Sequence, residues 1–218
     1  MASSMIHYIV SHLIADRIGI KSLNLFLIGA VLAPDTGNKE DGSYCKLHFM
    51  ETHNNISKKG FNWTTFVDMH MEEMDKDYFL GYFCHIIMDA LWYHDIYDKY
   101  IRYLPNDIKN EKIQAVYRDY WRLNHLLIKK YNIPRDYISA VDIPDVSIDR
   151  GSLLSMADRF GKQLQAPECD TDELEVLTWD IVADYIEKSK ELCMQEVSSV
   201  VKGRSGRKPL DLFVTTIS

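Results

Sequence analysis

The sequence lacks the features that would place it in a membrane or along a polyanion. Its opening, Met1-Ala2-Ser3-Ser4-Met5, has no basic region and no uninterrupted apolar stretch, and a secretory leader needs both. No run approaches the roughly 18 apolar residues of a bilayer span. Basic charge is scarce: 25 Lys and Arg stand against 32 Asp and Glu, a net charge of -7. That balance argues against the broad basic footprint of a protein that holds a stable nucleic-acid complex. Cys45, Cys84, Cys169 and Cys193 show no tight regular spacing, so reduced thiols in a cytoplasmic protein are the expectation. Strand-like alternation is nearly absent, and no internal repeat appears.

What remains is helical pattern. The 218 residues, 46% hydrophobic and 26% charged, suffice for one soluble domain with a sizeable core. Apolar residues recur at helical spacing over 5–18, with Ser3 or Ser4 as cap and Gly19 as terminator. The very apolar stretch 22–32, stopped by Pro34, reads as a helix inside the core. Residues 35–62, rich in Gly, Asn, Lys and Ser, read as a long loop, a length uncommon unless it serves a site. Further helices are expected at 63–74, from Asp77 to Tyr103, and over 111–131, 151–165 and 171–201, the last with Thr171 and Glu173–Glu175 at its start. The chain is thus all-α: a helical domain over 1–201 and a basic, then apolar, tail over 202–218.

The strongest chemical signal is His85-Ile-Ile-Met-Asp89. Residues i and i+4 stand one above the other on a helix, so an imidazole and a carboxylate can converge on one ion. Zinc suits such a mixed nitrogen and oxygen pair. The plainer alternative is a core histidine hydrogen-bonded to a nearby aspartate. The surroundings, Tyr78 through Trp92, are apolar on nearly every side, and no Lys or Arg lies between Lys76 and Lys99 to pair with Asp89. A bare carboxylate buried there costs several kcal/mol (roughly, per ion) unless it is paired or bound to a metal. Asp35 follows Pro34 at the mouth of the long loop, where sites are built and where Pro-Asp-Thr-Gly is also ordinary turn chemistry. His48 is the first histidine within that stretch. His7 lies on an apolar helix, where a lone histidine is more often a satisfied core residue. His12, about 140° further around the axis, faces another side. His94 falls half a turn out of phase with His85 on an unbroken helix. His125 meets Lys129 where a ligand pair would need an acid, and His53 and His70 read as solvated. Cys45 reads as a small buried side chain.

Taken in order, four pieces resemble the zinc-dependent phospholipase C family, whose wider fold includes a single-strand-specific nuclease. They are Met5-Ile6-His7, Leu27-Ile-Gly-Ala-Val-Leu-Ala-Pro-Asp35, Lys46-Leu-His48-Phe49 and Leu80-Gly-Tyr-Phe-Cys-His85-Ile-Ile-Met-Asp89-Ala-Leu-Trp92. The resemblance covers the first hundred residues or so. It implies a multi-helix domain that hydrolyses phosphate esters, with His48, His85 and Asp89 on one zinc ion, and His7 with a bridging Asp89 on a second. Asp35 would contact the metal-bound water or act as general base beside it. Secreted members of the family also use the amino group of a processed N-terminal tryptophan and a later HxxxE pair. Here the corresponding stretch reads His125-Leu-Leu-Ile-Lys129, with Asp119 as a possible substitute, so one or two ions are expected. The expected substrate is a small phosphate ester. The competing readings are a non-catalytic metal-stabilised helical domain that binds a partner, and a metal-free helical protein with buried His–Asp pairs.

Overall fold

Helix α1 (Ser4–Ile18) is bounded by the residues expected to bound it. The Ser3 hydroxyl accepts the Ile6 N–H at 3.2 Å, and Gly19 closes the helix at φ 76°. The computed structural model describes residues 1–53, 58–140, 143–145, 147–168, 173–204, 206 and 209. Cys169, Thr171 and most of the tail beyond Lys202 lie outside the described residues.

The apolar stretch after Ser22 is not one regular helix. A short α2 (Leu23–Leu27) passes into a π-helical turn, Ile28–Leu32, and then a 3-10 turn, Pro34–Thr36. Pro34 supplies the reason: four residues after Ala30, it has no N–H to donate to the Ala30 carbonyl, and its ring would clash there. The Ala30 oxygen is left free for a partner from another element.

That element is α5 (Asp77–Trp92), the centre of the molecule. Every residue from Tyr78 to Trp92 is buried. It crosses the α2 segment at backbone contact. A Cβ on Gly81 would stand 2.0 Å from the Phe26 carbonyl oxygen, and one on Gly29 would stand 2.1 Å from that of Tyr78. No side chain larger than hydrogen fits at either position. The expected continuation to Tyr103 is corrected: a π-helical turn, Tyr93–Tyr97, interrupts the run before a short α6 (Asp98–Tyr100).

The stretch 35–62 is not a structureless loop. It holds α3 (Ser43–Leu47) and an antiparallel hairpin, β1 (Met50–His53) and β2 (Lys58–Phe61), paired from Met50 opposite Phe61 to His53 opposite Lys58. This hairpin is the one sheet among the described residues, and the fold is otherwise all-α. Helix α4 (Trp63–Met69) follows. Helix α7 (Asn106–Tyr131) starts directly after Pro105, earlier than expected, and α8 (Arg150–Leu164) starts on the Asp149 cap. Helix α9 (Trp179–Val201) begins at the Thr178 cap rather than near 171. Glu173–Glu175 therefore do not form its first turn, and the Glu175 carboxylate instead pairs with Arg118 and Arg122. Among the described residues no helix is long and apolar enough to cross a membrane.

Candidate metal centre

Five side chains from four parts of the chain meet in the core. His7 comes from α1, Asp35 from the 3-10 turn after Pro34, His48 from the end of α3, and His85 and Asp89 from successive turns of α5. His7, His48, His85 and Asp89 are wholly buried, while the Asp35 side chain keeps 11% of its surface exposed.

Two of the rings are locked from behind. The Nδ1–H of His85 meets the free Ala30 carbonyl at 3.0 Å, and that of His48 meets the Tyr44 carbonyl at 2.9 Å. With Nδ1 donating in each neutral ring, both Nε2 atoms carry lone pairs, and these face each other at 3.3 Å. Two carboxylate oxygens join them. Asp35 Oδ1 lies 3.3 Å from His48 Nε2, and Asp89 Oδ2 lies 3.5 Å from both His48 Nε2 and His85 Nε2. Lone pairs and negative charge converging in the core repel unless a proton or cation stands among them.

The spacing fits a metal ion. Four donors around a tetrahedral cation stand about 1.6 bond lengths apart, so zinc bonds of 2.0–2.2 Å ask for separations of about 3.3–3.6 Å. His48 Nε2, His85 Nε2 and Asp89 Oδ2 stand 3.3 to 3.5 Å from one another, within that range, and Asp35 Oδ1 stands 3.3 Å from His48 Nε2. Asp35 Oδ1 and Asp89 Oδ2 have no hydrogen-bond partner, as buried groups awaiting a ligand would not.

A second, less complete group lies beside the first. His7 Nε2 is 3.3 Å from Asp89 Oδ1, its ring stacks on His85 with centroids 4.1 Å apart, and neither ring nitrogen has a hydrogen-bond partner. Asp89 Oδ1 also accepts the Ala2 N–H at 3.1 Å. His85 Nε2 has one lone pair and can serve only one ion, which leaves the second group short of donors. The donors that lie within 4.8 Å of one another form two groups of three, Asp35–His48–His85 and His7–His85–Asp89, which share His85.

Burial and mutual charge set the protonation states. Burial drives His7 below the ordinary imidazole range, and neighbouring His85 adds to this against the pull of Asp89. Burial acts the same way on His85, but Asp89 and Asp35 outweigh it and hold that ring above its usual value. Burial would raise both carboxyls. His48 and His85 hold Asp35 below its usual range, and His85 with His7 holds Asp89 well below.

Other polar residues are engaged elsewhere. Asp119, considered as a substitute ligand, spends its carboxylate on the N–H groups of Glu175, Val176 and Leu177 at 2.8 to 2.9 Å. His125 lies near the surface between Arg135 and Glu168. His94 pairs with Asp95 at 2.6 Å, and His12 packs edge-on against Tyr8. His70 is not simply solvated as expected: Phe66 and Phe79 lie 4.8 and 4.9 Å from its ring. Cys45 is a half-buried free thiol.

One cavity reaches the centre and a second lies beyond Tyr44. A groove of about 790 Å³ reaches Asp35 and is lined by Lys39, Tyr44, Ser152, Ser155 and Arg159 among others. A cleft of about 210 Å³ lies among Lys39, Tyr44, Trp92, Tyr93, Tyr117 and Tyr120. Of the five clustered residues, Asp35 alone borders the groove. Sequence reasoning missed the Ala30 and Tyr44 carbonyls and the place of Lys39. The proline four residues after Ala30 was the available signal for the first. Comparison of the chain with protein-family models, curated proteins and solved structures returns no match.

Proposed function

We propose that this chain is a zinc-dependent phosphoesterase acting on small phosphodiesters, of the kind implied by its resemblance to the zinc-dependent phospholipase C family. One observation carries the reading: two imidazole Nε2 atoms 3.3 Å apart, each ring anchored through Nδ1, with two carboxylate oxygens at 3.3 to 3.5 Å. Zinc, when bound, supplies Lewis acidity toward a phosphoryl oxygen and toward water. His48, His85 and Asp89 would hold it, and Asp89 would reach with its other oxygen toward His7. Asp35 borders the groove and stays ionised at neutral pH. It is placed to take a proton from the attacking water on the carboxylate oxygen turned away from His48. The free thiols Cys45, Cys84 and Cys193 accord with a cytoplasmic setting.

A second reading has an observation of its own. Asp35 Oδ1 stands 3.3 Å from His48 Nε2; were it to join His48, His85 and Asp89 as a fourth donor the shell would close, and closed four-ligand zinc sites are structural rather than catalytic. The centre would then stabilise a helical domain that binds a partner. Metal analysis after chelator-free purification, followed by hydrolysis of bis(p-nitrophenyl) phosphate by wild type and Asp35→Ala, separates the two. A zinc-dependent rate that Asp35→Ala abolishes supports the enzyme. Stoichiometric zinc without turnover supports the structural site.

A further inference from the structure

We propose that Lys39 is the residue that recognises the anionic group of the substrate, a phosphate or phosphate ester, above the buried centre. This rests on the phosphoesterase reading of that centre. Lys39 borders both cavities, the large groove that reaches Asp35 and the smaller aromatic cleft. Its ammonium sits over the Tyr44 ring, 5.2 Å from the centroid, and the same ring stacks on His48 with centroids 4.1 Å apart. Ammonium, phenol ring and imidazole thus form a series from the mouth of the groove to the donor cluster. The aromatic face attracts the cation without neutralising it, so the charge stays available to a ligand.

Other side-chain cations near these cavities are occupied or lie apart, and the Met1 amino group, whose residue lines both, is buried in the field of Asp89 and Asp35. Arg102 is held by Asp98, and Arg118 and Arg122 are held by Glu175. Arg159 lines the groove but not the cleft. Among the described residues the Lys39 ammonium has no ion pair. The donor cluster presents lone pairs and carboxylates, which cannot hydrogen-bond a phosphoryl oxygen. The exposed Lys39 ammonium, over the Tyr44 ring at the junction of the two cavities, supplies that missing donor. Its three N–H groups radiate from a point charge, a geometry that tolerates rotation of the bound anion.

The test uses zinc-loaded full-length protein, with inorganic phosphate as the calorimetric probe and bis(p-nitrophenyl) phosphate as the substrate. Lys39→Met, which keeps length and apolar stem, should weaken phosphate binding by about 10-fold, the scale of one charge-assisted contact. KM should rise by a similar factor, with zinc content and melting temperature unchanged. Lys39→Arg should stay within about threefold of wild type, because charge rather than shape is the recognised feature. Equal phosphate affinity in wild type and Lys39→Met overturns the proposal, as does a wild type that binds no phosphate at millimolar concentration. Phosphate binding that is lost in Lys39→Met, in a protein without turnover, upholds the role of Lys39 while the hydrolase reading fails.

Discussion

Asp89 joins the two donor groups, one oxygen facing His48 and His85 and the other facing His7. Asp89→Asn keeps the shape and removes the charge. Loss of an outer-shell partner already weakens metal binding by 10–100-fold, so loss of this ligand should weaken zinc binding by at least about 100-fold. Competition with a chromophoric chelator measures it, and affinity equal to wild type would show that the carboxylate is not a ligand. A second residue-scale expectation concerns Asp95. Burial would raise its carboxyl, but His94, Lys99 and Lys188 hold it down at about 2. Its folded value lies below its unfolded value, so the unfolded chain binds the proton more readily. The stability it contributes is complete above about pH 4 and is lost as pH falls toward 2. Asp95→Asn should flatten that part of an acid-denaturation profile, and an unchanged slope would count against the assignment. At this scale the sequence was readable where spacing is chemistry: His85 and Asp89, four apart on a helix, announced themselves. The anchoring carbonyls of Ala30 and Tyr44 did not: Pro34 marks the first as lacking its helical donor, but only the fold decides which ring each carbonyl meets.

Among the elements, the crossing of α2 and α5 governs the centre, since it brings the Ala30 oxygen to His85. Gly81→Ala would force a methyl group to 2.0 Å from a backbone oxygen, and backbone cannot swing aside as a side chain does. It should cost more than about 3 kcal/mol, in the upper range for single substitutions, and lower zinc content with it. Gly151→Ala is the control: its new methyl would meet only the Asp149 carboxylate at 3.2 Å, and stability should move by less than about 0.5 kcal/mol. Denaturant melts of both variants decide the matter. Asp119 joins α7 to the stretch that leads into α9. Asp119→Ala would leave three N–H groups without their acceptor, at a cost of about 3 kcal/mol, and Asp119→Asn should recover part of it. Long amphipathic helices were legible because period and caps agree, as at Ser3 and Gly19. The hairpin escaped because its strands are short and polar and are held by backbone pairing that composition does not record. The late start of α9 escaped because Glu173–Glu175 resemble a first turn, although Glu175 serves two arginines.

For the whole molecule, a metal that binds the folded chain and not the unfolded one adds stability through mass action. At a free concentration of 1,000 times Kd that is about 4 kcal/mol. For a chain of this size, with roughly 2–4 °C per kcal/mol, chelation should lower the melting temperature by about 10 °C. An unchanged melting temperature in chelator would favour a metal-free core of histidines and aspartates. The helical class and the order of the long helices could be read from hydrophobic period and caps. The meeting of α1, the turn at Asp35, α3 and α5 could not, because those segments are far apart in the chain and only packing unites them.

The close backbone approaches at Gly29 and Gly81 carry a consequence for which cation a site on His85 would favour. Where backbone rests on backbone there is no soft side chain to yield, so the cage around His85 has a fixed bore. Calcium, with bonds of about 2.3–2.6 Å, would require the donors to spread apart, whereas zinc would not. If the centre holds zinc, two residues without side chains would thereby favour the smaller ion.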